Sequence, residues 1–234
     1  MLNHLARVLI PDRCHLCGSL GSDVCSTCMR SMGTVHTEHC PLCGQASIFP
    51  RACICRESDI AFCTLFSLTP TFRKYLHLIK YSNQKNLISL IPSMMSLGQL
   101  KNLMLISQMP QAVLVPIPLH KSRESERGFN QSNLIAHELS RMTGVPVGNF
   151  ARRIRKTSTQ AKTTHKNDRT QNTREAFECI ADPTMEGDPL VILVDDVITS
   201  GATMLSTARA MQKGGFTRVI GVGLAQEDWR GRSH

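Results

Sequence analysis

Apolar positions along this chain change period twice, and the changes mark out its elements. In "FSLTPTFRKYLHLIKYSNQKNLISLIPSMMSLGQL" the spacing of Phe72, Leu76 and Ile79 predicts one face of a helix, and Pro92 starts or breaks a second. "AVLVPIPL" is instead a continuous apolar run ending at prolines, the pattern of a buried strand. "NQSNLIAHELSRMTG" returns to helical spacing, with Asn130 or Ser132 near its cap and Gly144 closing it. "PLVILVDD" predicts a second buried strand, "ATMLSTARAMQKGG" a helix with a glycine stop, and "TRVIGVGLA" a third strand. Strand, helix, strand, helix, strand in this order implies a parallel sheet covered on both faces. Near the start, Leu2, Leu5, Val8 and Leu9 suit one helical face that packs on the protein.

One span breaks the pattern. Between Lys156 and Glu175 only Ala161 is apolar, so the segment cannot bury enough surface to order itself. A flexible basic loop over about 152–174 is the expectation, an active-site cover that orders on an anionic ligand. The net charge of +9 gathers around it. Residues 1–63 carry five basic and five acidic side chains, residues 64–119 five basic and none acidic, and residues 120–174 twelve basic against four acidic. A polyanionic partner, phosphates or nucleic acid, suits that distribution. No apolar run approaches the ~18 residues that span a bilayer. The first residues lack the form of a secretory signal.

Eight of the ten cysteines fall between positions 14 and 55, in close pairs: Cys14 with Cys17, Cys25 with Cys28, Cys40 with Cys43, and Cys53 with Cys55. In C-x2-C two thiolates converge on one metal from a tight turn, and four pairs allow two tetrahedral zinc sites. The sequential assignment joins the first two pairs in one site and the last two in a possible second. A cross-braced assignment joins the first pair to the third and the second to the fourth. His36 and His39 lie close enough to substitute as ligands. Disulfides are the competing reading, disfavoured by the reducing compartment that a missing secretory signal implies. Cys63 and Cys179 stand alone and read as small buried apolar residues. The division expected is a cysteine module with a short N-terminal helix over 1–63 and a sheet domain over 64–234. The module is too short for its own core, so metal supplies its folding free energy.

"VILVDDVITSGAT" (191–203) carries the candidate chemistry. The strand is expected to end at Asp195 and the helix to begin near Thr203, placing the turn at the carboxyl end of a parallel sheet, where ligands of such sheets bind. Thr199, Ser200, Gly201, Ala202 and Thr203 would offer backbone N–H groups and hydroxyls to a phosphate at a helix N-terminus. Asp195 and Asp196 would repel that phosphate but accept hydrogen bonds from the vicinal hydroxyls of a ribose. A capped strand–helix junction explains one carboxylate and one cap, not this whole set. It is no Walker loop, since Gly-Lys-Ser/Thr is absent.

This segment resembles the signature of type I phosphoribosyltransferases, which bind 5-phosphoribosyl 1-diphosphate. Together with "CHLCG…CSTC…CPLCG", "PIPLHKSRESERGFNQS" and "RIRKTSTQ…R..N..EAF", it resembles the ComF/GntX family of competence-associated proteins over nearly the whole chain. The resemblance implies a phosphoribosyltransferase-like α/β domain behind a zinc-binding module. Asp195 and Asp196 would hold the ribose hydroxyls and Thr199 to Thr203 the 5-phosphate. The turn through His120 and Lys121, with Arg127, would correspond to the diphosphate loop. Gln160, Arg169 and Asn172 match further polar positions of the family, and Lys156, Lys162 and Lys166 could neutralise a diphosphate accompanied by magnesium. The family also implies DNA uptake in natural transformation. Its partners would be single-stranded DNA and a competence helicase or the uptake machinery, in the cytoplasm or peripheral to the inner membrane. An active phosphoribosyltransferase with an unknown acceptor is the alternative, although no feature marks a nucleobase pocket. Strand binders add stacking aromatics. Here the candidates are Phe129, Phe72 and Tyr75, each also suited to the core.

Overall fold

The structure is a computed structural model and describes residues 12–32, 60–82, 84–155, 176–181 and 187–226. Its main sheet is built from β1 (Ala61–Ser67), β2 (Val113–Pro116), β5 (Val191–Ile198) and β6 (Val219–Gln226), all parallel, in the order β1–β6–β5–β2. Beyond β2 the chain adds a further edge: Leu114 donates its N–H to the Pro146 carbonyl, and Gly148 donates to that of Leu114, both at 2.8 Å. The expected class, an α/β protein with a helix-flanked parallel sheet, is what the structure has.

Both faces of the sheet are covered, and the alternation of strand residues decides which face each one serves. Leu114, Ile192, Val194, Val222 and Leu224 pack with helix α2 (Pro70–Tyr81) and helix α6 (Gln131–Thr143). Val113, Val115, Val191, Leu193 and Val219 pack with helix α7 (Ala202–Lys213). Residues 191–194 have no measurable exposure. A strand buried on both faces must be apolar without interruption, which is why this run was legible. Helix α2 starts by the expected chemistry: Pro70 sits in its first turn and Thr69 Oγ1 accepts from the Phe72 N–H at 3.1 Å. It buries Tyr75 in addition to the expected Phe72, Leu76 and Ile79. Asn130 caps α6, and Gly144 closes it at φ 76°. Pro92 lies in the first turn of α3 (Ile91–Met94), which continues a 3-10 turn over Lys85–Leu90 and leads to α4 (Leu97–Ser107). In β6, a Cβ on Gly223 would stand 2.5 Å from Ile198 Cγ1, so glycine lets the β5 end pack against its neighbour.

Three features differ from expectation. Strand β1 was not foreseen. It follows the cysteine-rich region without a turn signal, and Thr64, whose hydroxyl donates to Gln226 Oε1 at 3.3 Å, interrupts its apolar run. Strand β5 continues past Asp195 to Ile198, held by pairing of Val197 with Ala225 and Ile198 with Gln226. Arg152 and Arg153, expected in the flexible loop, lie in β3 (Ala151–Arg153), which pairs antiparallel with β4 (Phe177–Cys179). Cys63 is buried as expected, while Cys179 is only partly so.

Residues 12–32, with α1 (Ser26–Met32), pack against α2. Cys14, Leu16, Val24, Cys28 and Met32 join the same apolar cluster as Phe72 and Ile79, and Lys74 Nζ donates to the Leu16 carbonyl at 2.5 Å. The short module thus borrows the core of the sheet domain. Expectations for the N-terminal helix, His36, His39, Cys40, Cys43, Cys53, Cys55, Lys156, Gln160, Lys162, Lys166, Arg169 and Asn172 fall outside the described residues. Among the described residues no helix is long and apolar enough to cross a membrane.

Candidate functional site

Strand β5 delivers its two carboxylates to the carboxyl edge of the sheet, and each finds a different partner. Asp195 Oδ1 accepts from Ser132 Oγ, in the first turn of α6, and from the Asp196 N–H, both at 2.9 Å. The Asp196 carboxylate pairs with Lys80 Nζ at the end of α2. Burial, and then the neighbouring Asp196 charge, push the Asp195 carboxyl up to about 7, against the pull of Ser132, the Asp196 N–H and Lys80. Asp195 therefore changes protonation near neutrality.

The chain then turns through Thr199, Ser200 and Gly201. Gly201 takes φ 70°, a left-handed conformation that strains other residues, and forms the N-cap of α7 without a side chain to cap it. The first-turn N–H groups of a helix have no intrahelical acceptors, and the helix dipole favours an anion there. Asp195 and residues 197–204 line an open pocket, bringing Asp195, Thr199, Ser200, Gly201, Ala202 and Thr203 together.

"RGFNQS" proves to be the splice that assembles this edge. Arg127 ends helix α5 (Lys121–Arg127), and Gly128 reverses the chain at φ 72°. Asn130 accepts from the Ser132 N–H at 3.1 Å and donates to the Ile117 carbonyl at 2.9 Å, tying the exit of β2 to α6. Arg127 donates to Gln131 Oε1 at 3.1 Å and to the Tyr81 hydroxyl at 2.9 Å. Gln131 is only 3% exposed, and its Nε2 is the one buried side-chain polar atom without a partner among the described residues. His120 caps α5, its Nδ1 accepting from the Ser122 N–H at 3.2 Å, and Lys121 is exposed. None of His120, Lys121 and Arg127 lines the pocket. From β3, Arg153 feels both Arg123 and Asp195: burial and then Arg123 lower its pKa, and Asp195 opposes them. Its guanidinium lies 5.2 Å from the Phe177 ring centroid.

Sequence reasoning missed the parts played by Lys80, Ser132 and Arg153. Ser132 stood in a recognised tag as a candidate helix cap only, and Lys80 was one cation in a helix read for its apolar face.

At the other end of α2 the first four cysteines converge. The sulfurs of Cys14, Cys17, Cys25 and Cys28 all lie within 4.8 Å of one another, with Cys17 and Cys25 at 3.6 Å. Tetrahedral zinc with ~2.3 Å Zn–S bonds needs sulfurs about 3.8 Å apart, so the quartet fits a metal ion. The sequential assignment of the first two pairs is the one the structure has. Cys25 donates its N–H to Cys14 Sγ at 3.4 Å. The Cys28 N–H and then the Ser19 hydroxyl bring the Cys25 thiol down to about 6. Burial raises Cys14, but hydrogen bonds led by the Cys25 N–H outweigh it and leave its pKa lowered. Burial pushes Cys28 up, as does the company of the other thiols. Four thiols this close, two of them inclined to ionise, suit a soft divalent cation.

A parallel sheet with an acid pair and a glycine-turned pocket at its carboxyl edge, behind a four-cysteine knuckle, defines the class of protein. No protein-family model matches the chain. Competence protein F of Haemophilus influenzae is 35% identical over 120 residues, covering 51% of this chain and 52% of that protein. Competence protein ComFC of Bacillus subtilis is 28% identical over 82% of this chain and 79% of its own length. DNA utilization protein YhgH of Escherichia coli is 29% identical over 90% of this chain and 95% of its own. The chain is thus similar to competence proteins of the ComF and ComFC kind and to a DNA utilization protein. Among solved structures, glutamine phosphoribosylpyrophosphate amidotransferase from B. subtilis, complexed with ADP and GMP, overlaps 53% of this chain and 25% of its own at 18% identity and TM-score 0.31.

Proposed function

We propose that this is a competence-type protein that handles incoming single-stranded DNA on the cytoplasmic side of the uptake machinery, and that its sheet edge holds a phosphoribosyl diphosphate-type ligand. The observation that carries the ligand reading is the meeting of Asp195, steadied by Ser132, with the side-chain-free cap of α7 in one open pocket. The acid pair would accept from ribose hydroxyls, and the α7 N-terminus would take the 5-phosphate. Arg153 and Arg123, with His120, Lys121 and Arg127 farther out, suit a diphosphate with its magnesium. The DNA role is supported by the names of the relatives, competence and DNA utilization proteins, and by the concentrated basic charge of residues 120–174. Zinc would occupy the cysteine quartet. A competence helicase is the protein partner this role calls for.

Calorimetric titration of 5-phosphoribosyl 1-diphosphate with magnesium tests the ligand site. Wild type should bind, and the Asp195→Asn/Asp196→Asn double variant should lose at least about tenfold in affinity, since hydrogen bonds to charged groups contribute ~1.5–3 kcal/mol each. Absence of heat with wild type removes the ligand reading.

An active phosphoribosyltransferase is the second reading. The observation favouring it is the Asp195 carboxyl at the pocket wall, held by Ser132 and raised by burial and by the neighbouring Asp196 charge toward the range where general acid–base groups work best. Magnesium-dependent diphosphate release with some acceptor, lost in the same double variant, would establish it.

A further inference from the structure

We propose that Tyr81 and the cations around it form a stacking platform for single-stranded nucleic acid beside the acid pair. This rests on the reading of the chain as a DNA-handling protein and gives that reading a surface. Tyr81 is the last residue of α2 and 59% exposed, whereas Tyr75, six residues earlier, is fully buried. Isolated exposed tyrosines are ordinary. This one is held in place. Arg127 Nη2 donates to its hydroxyl at 2.9 Å, with the guanidinium carbon 5.1 Å from the ring centroid. The His77 ring lies 4.7 Å away, tilted by 43°. A ring fixed from its hydroxyl and from one neighbour loses little rotamer freedom when a base settles on it. Close by in sequence, Lys85 Nζ stands 4.4 Å from the centroid of the Phe129 ring, a second pairing of a cation with an aromatic face.

The charge around the ring matches a polyanion. Residues 64–119, which supply α2, the 3-10 turn, α3 and α4, hold five basic side chains and no acidic one. Carboxylates on adjoining elements are Asp195 and Asp196 on β5, the latter paired with Lys80, Glu124 and Glu126 on α5, and Glu138 on α6, paired with Arg141. Hydrogen bonds also link the platform to the pocket. Lys80 precedes Tyr81, and Arg127 reaches Gln131, whose neighbour Ser132 holds Asp195. An open ring with the Arg127 guanidinium beside it suits a strand whose bases stack while its phosphates stay near solvent. A mononucleotide substrate would call for an enclosed slot instead. Every base has a π face, so such a surface is tolerant of sequence.

Fluorescence anisotropy with a labelled thymidine oligonucleotide tests this at fixed salt. Tyr81→Ala should weaken binding about tenfold, the scale of one lost base–aromatic stack. Tyr81→Phe, which keeps the ring and drops the Arg127 bond, should stay within about twofold. Tyr81→Trp in a Trp229→Phe background should bind, and its emission should be quenched by the oligonucleotide, a signature that a merely structural side chain does not give. If Tyr81→Ala binds like wild type and the Tyr81→Trp emission is unchanged at saturation, the platform is wrong while the DNA-handling reading stands. If wild type itself binds no oligonucleotide, both fall. Equal competition by thymidine 5′-monophosphate would assign the ring to a single nucleotide and overturn the strand proposal.

Discussion

The carboxyl edge of the sheet and the cysteine knuckle both crowd ionisable groups together, but they balance them by opposite means. At the sheet edge the chain supplies the counterparts: Ser132 for Asp195 and Lys80 for Asp196. At the knuckle, Cys14, Cys17, Cys25 and Cys28 converge with hydrogen bonds to one another and to Ser19, and the charge that ionised sulfurs call for would come from a metal ion. A site that balances its own charge can stand ready for a ligand that comes and goes. A site that does not would need its cation to hold its place in the fold.

Removing the metal is the sharpest way to test that contrast, with the largest expected effect. Zinc measured on the purified protein should fall by one equivalent in Cys25→Ser. Thermal stability should drop by several kcal/mol, because structural zinc contributes on the order of 10 kcal/mol in isolated fingers and Leu16, Val24 and Met32 lose their seat in the core. An unchanged melting temperature with the metal gone would show that the knuckle also stands alone. Next in size is Lys80→Met, which leaves Asp196 partly buried without its ammonium. It should cost about 3 kcal/mol in denaturant unfolding, and phosphoribosyl diphosphate binding should weaken with it.

The most specific effect is a pH dependence. The Asp195 carboxyl rises from an unfolded value of about 3.9 to about 7 when folded. The native state therefore holds a proton that the unfolded state has released. Stability from this group is fully present below about pH 4 and is lost as pH rises toward 7. Asp195→Asn removes that slope, so its melting temperature should gain on wild type between pH 5 and pH 8. Parallel pH profiles would mean that the carboxylate is already ionised.

What the sequence made legible follows from how locally each feature is encoded. β2, β5 and β6 are apolar runs bounded by proline or glycine, and α6 and α7 are closed by Gly144 and Gly214, so periodicity and punctuation sufficed. β3 and β4 have three residues each, too few for a period to declare itself. In the site, Asp195, Asp196 and the turn to Thr203 stood out because polar residues crowd the end of one apolar strand. Lys80 and Ser132 reach the acid pair from distant parts of the chain, and only the folded sheet brings them there. The same limit governed the aromatics. Phe72 and Tyr75, weighed as stacking residues, lie fully inside the core, while Tyr81, off the apolar stripe of the same helix, is the ring left open.

Helix α2 gripped both centres throughout: Lys74 holds the Leu16 carbonyl beside Cys17, and Lys80 holds Asp196. Six residues of α-helix separate those lysines by about 9 Å, a distance over which a packed helix hardly bends. It is a ruler laid between the thiol cluster and the carboxylate pair, and the spacing of the two is set by the one helix that carries both lysines.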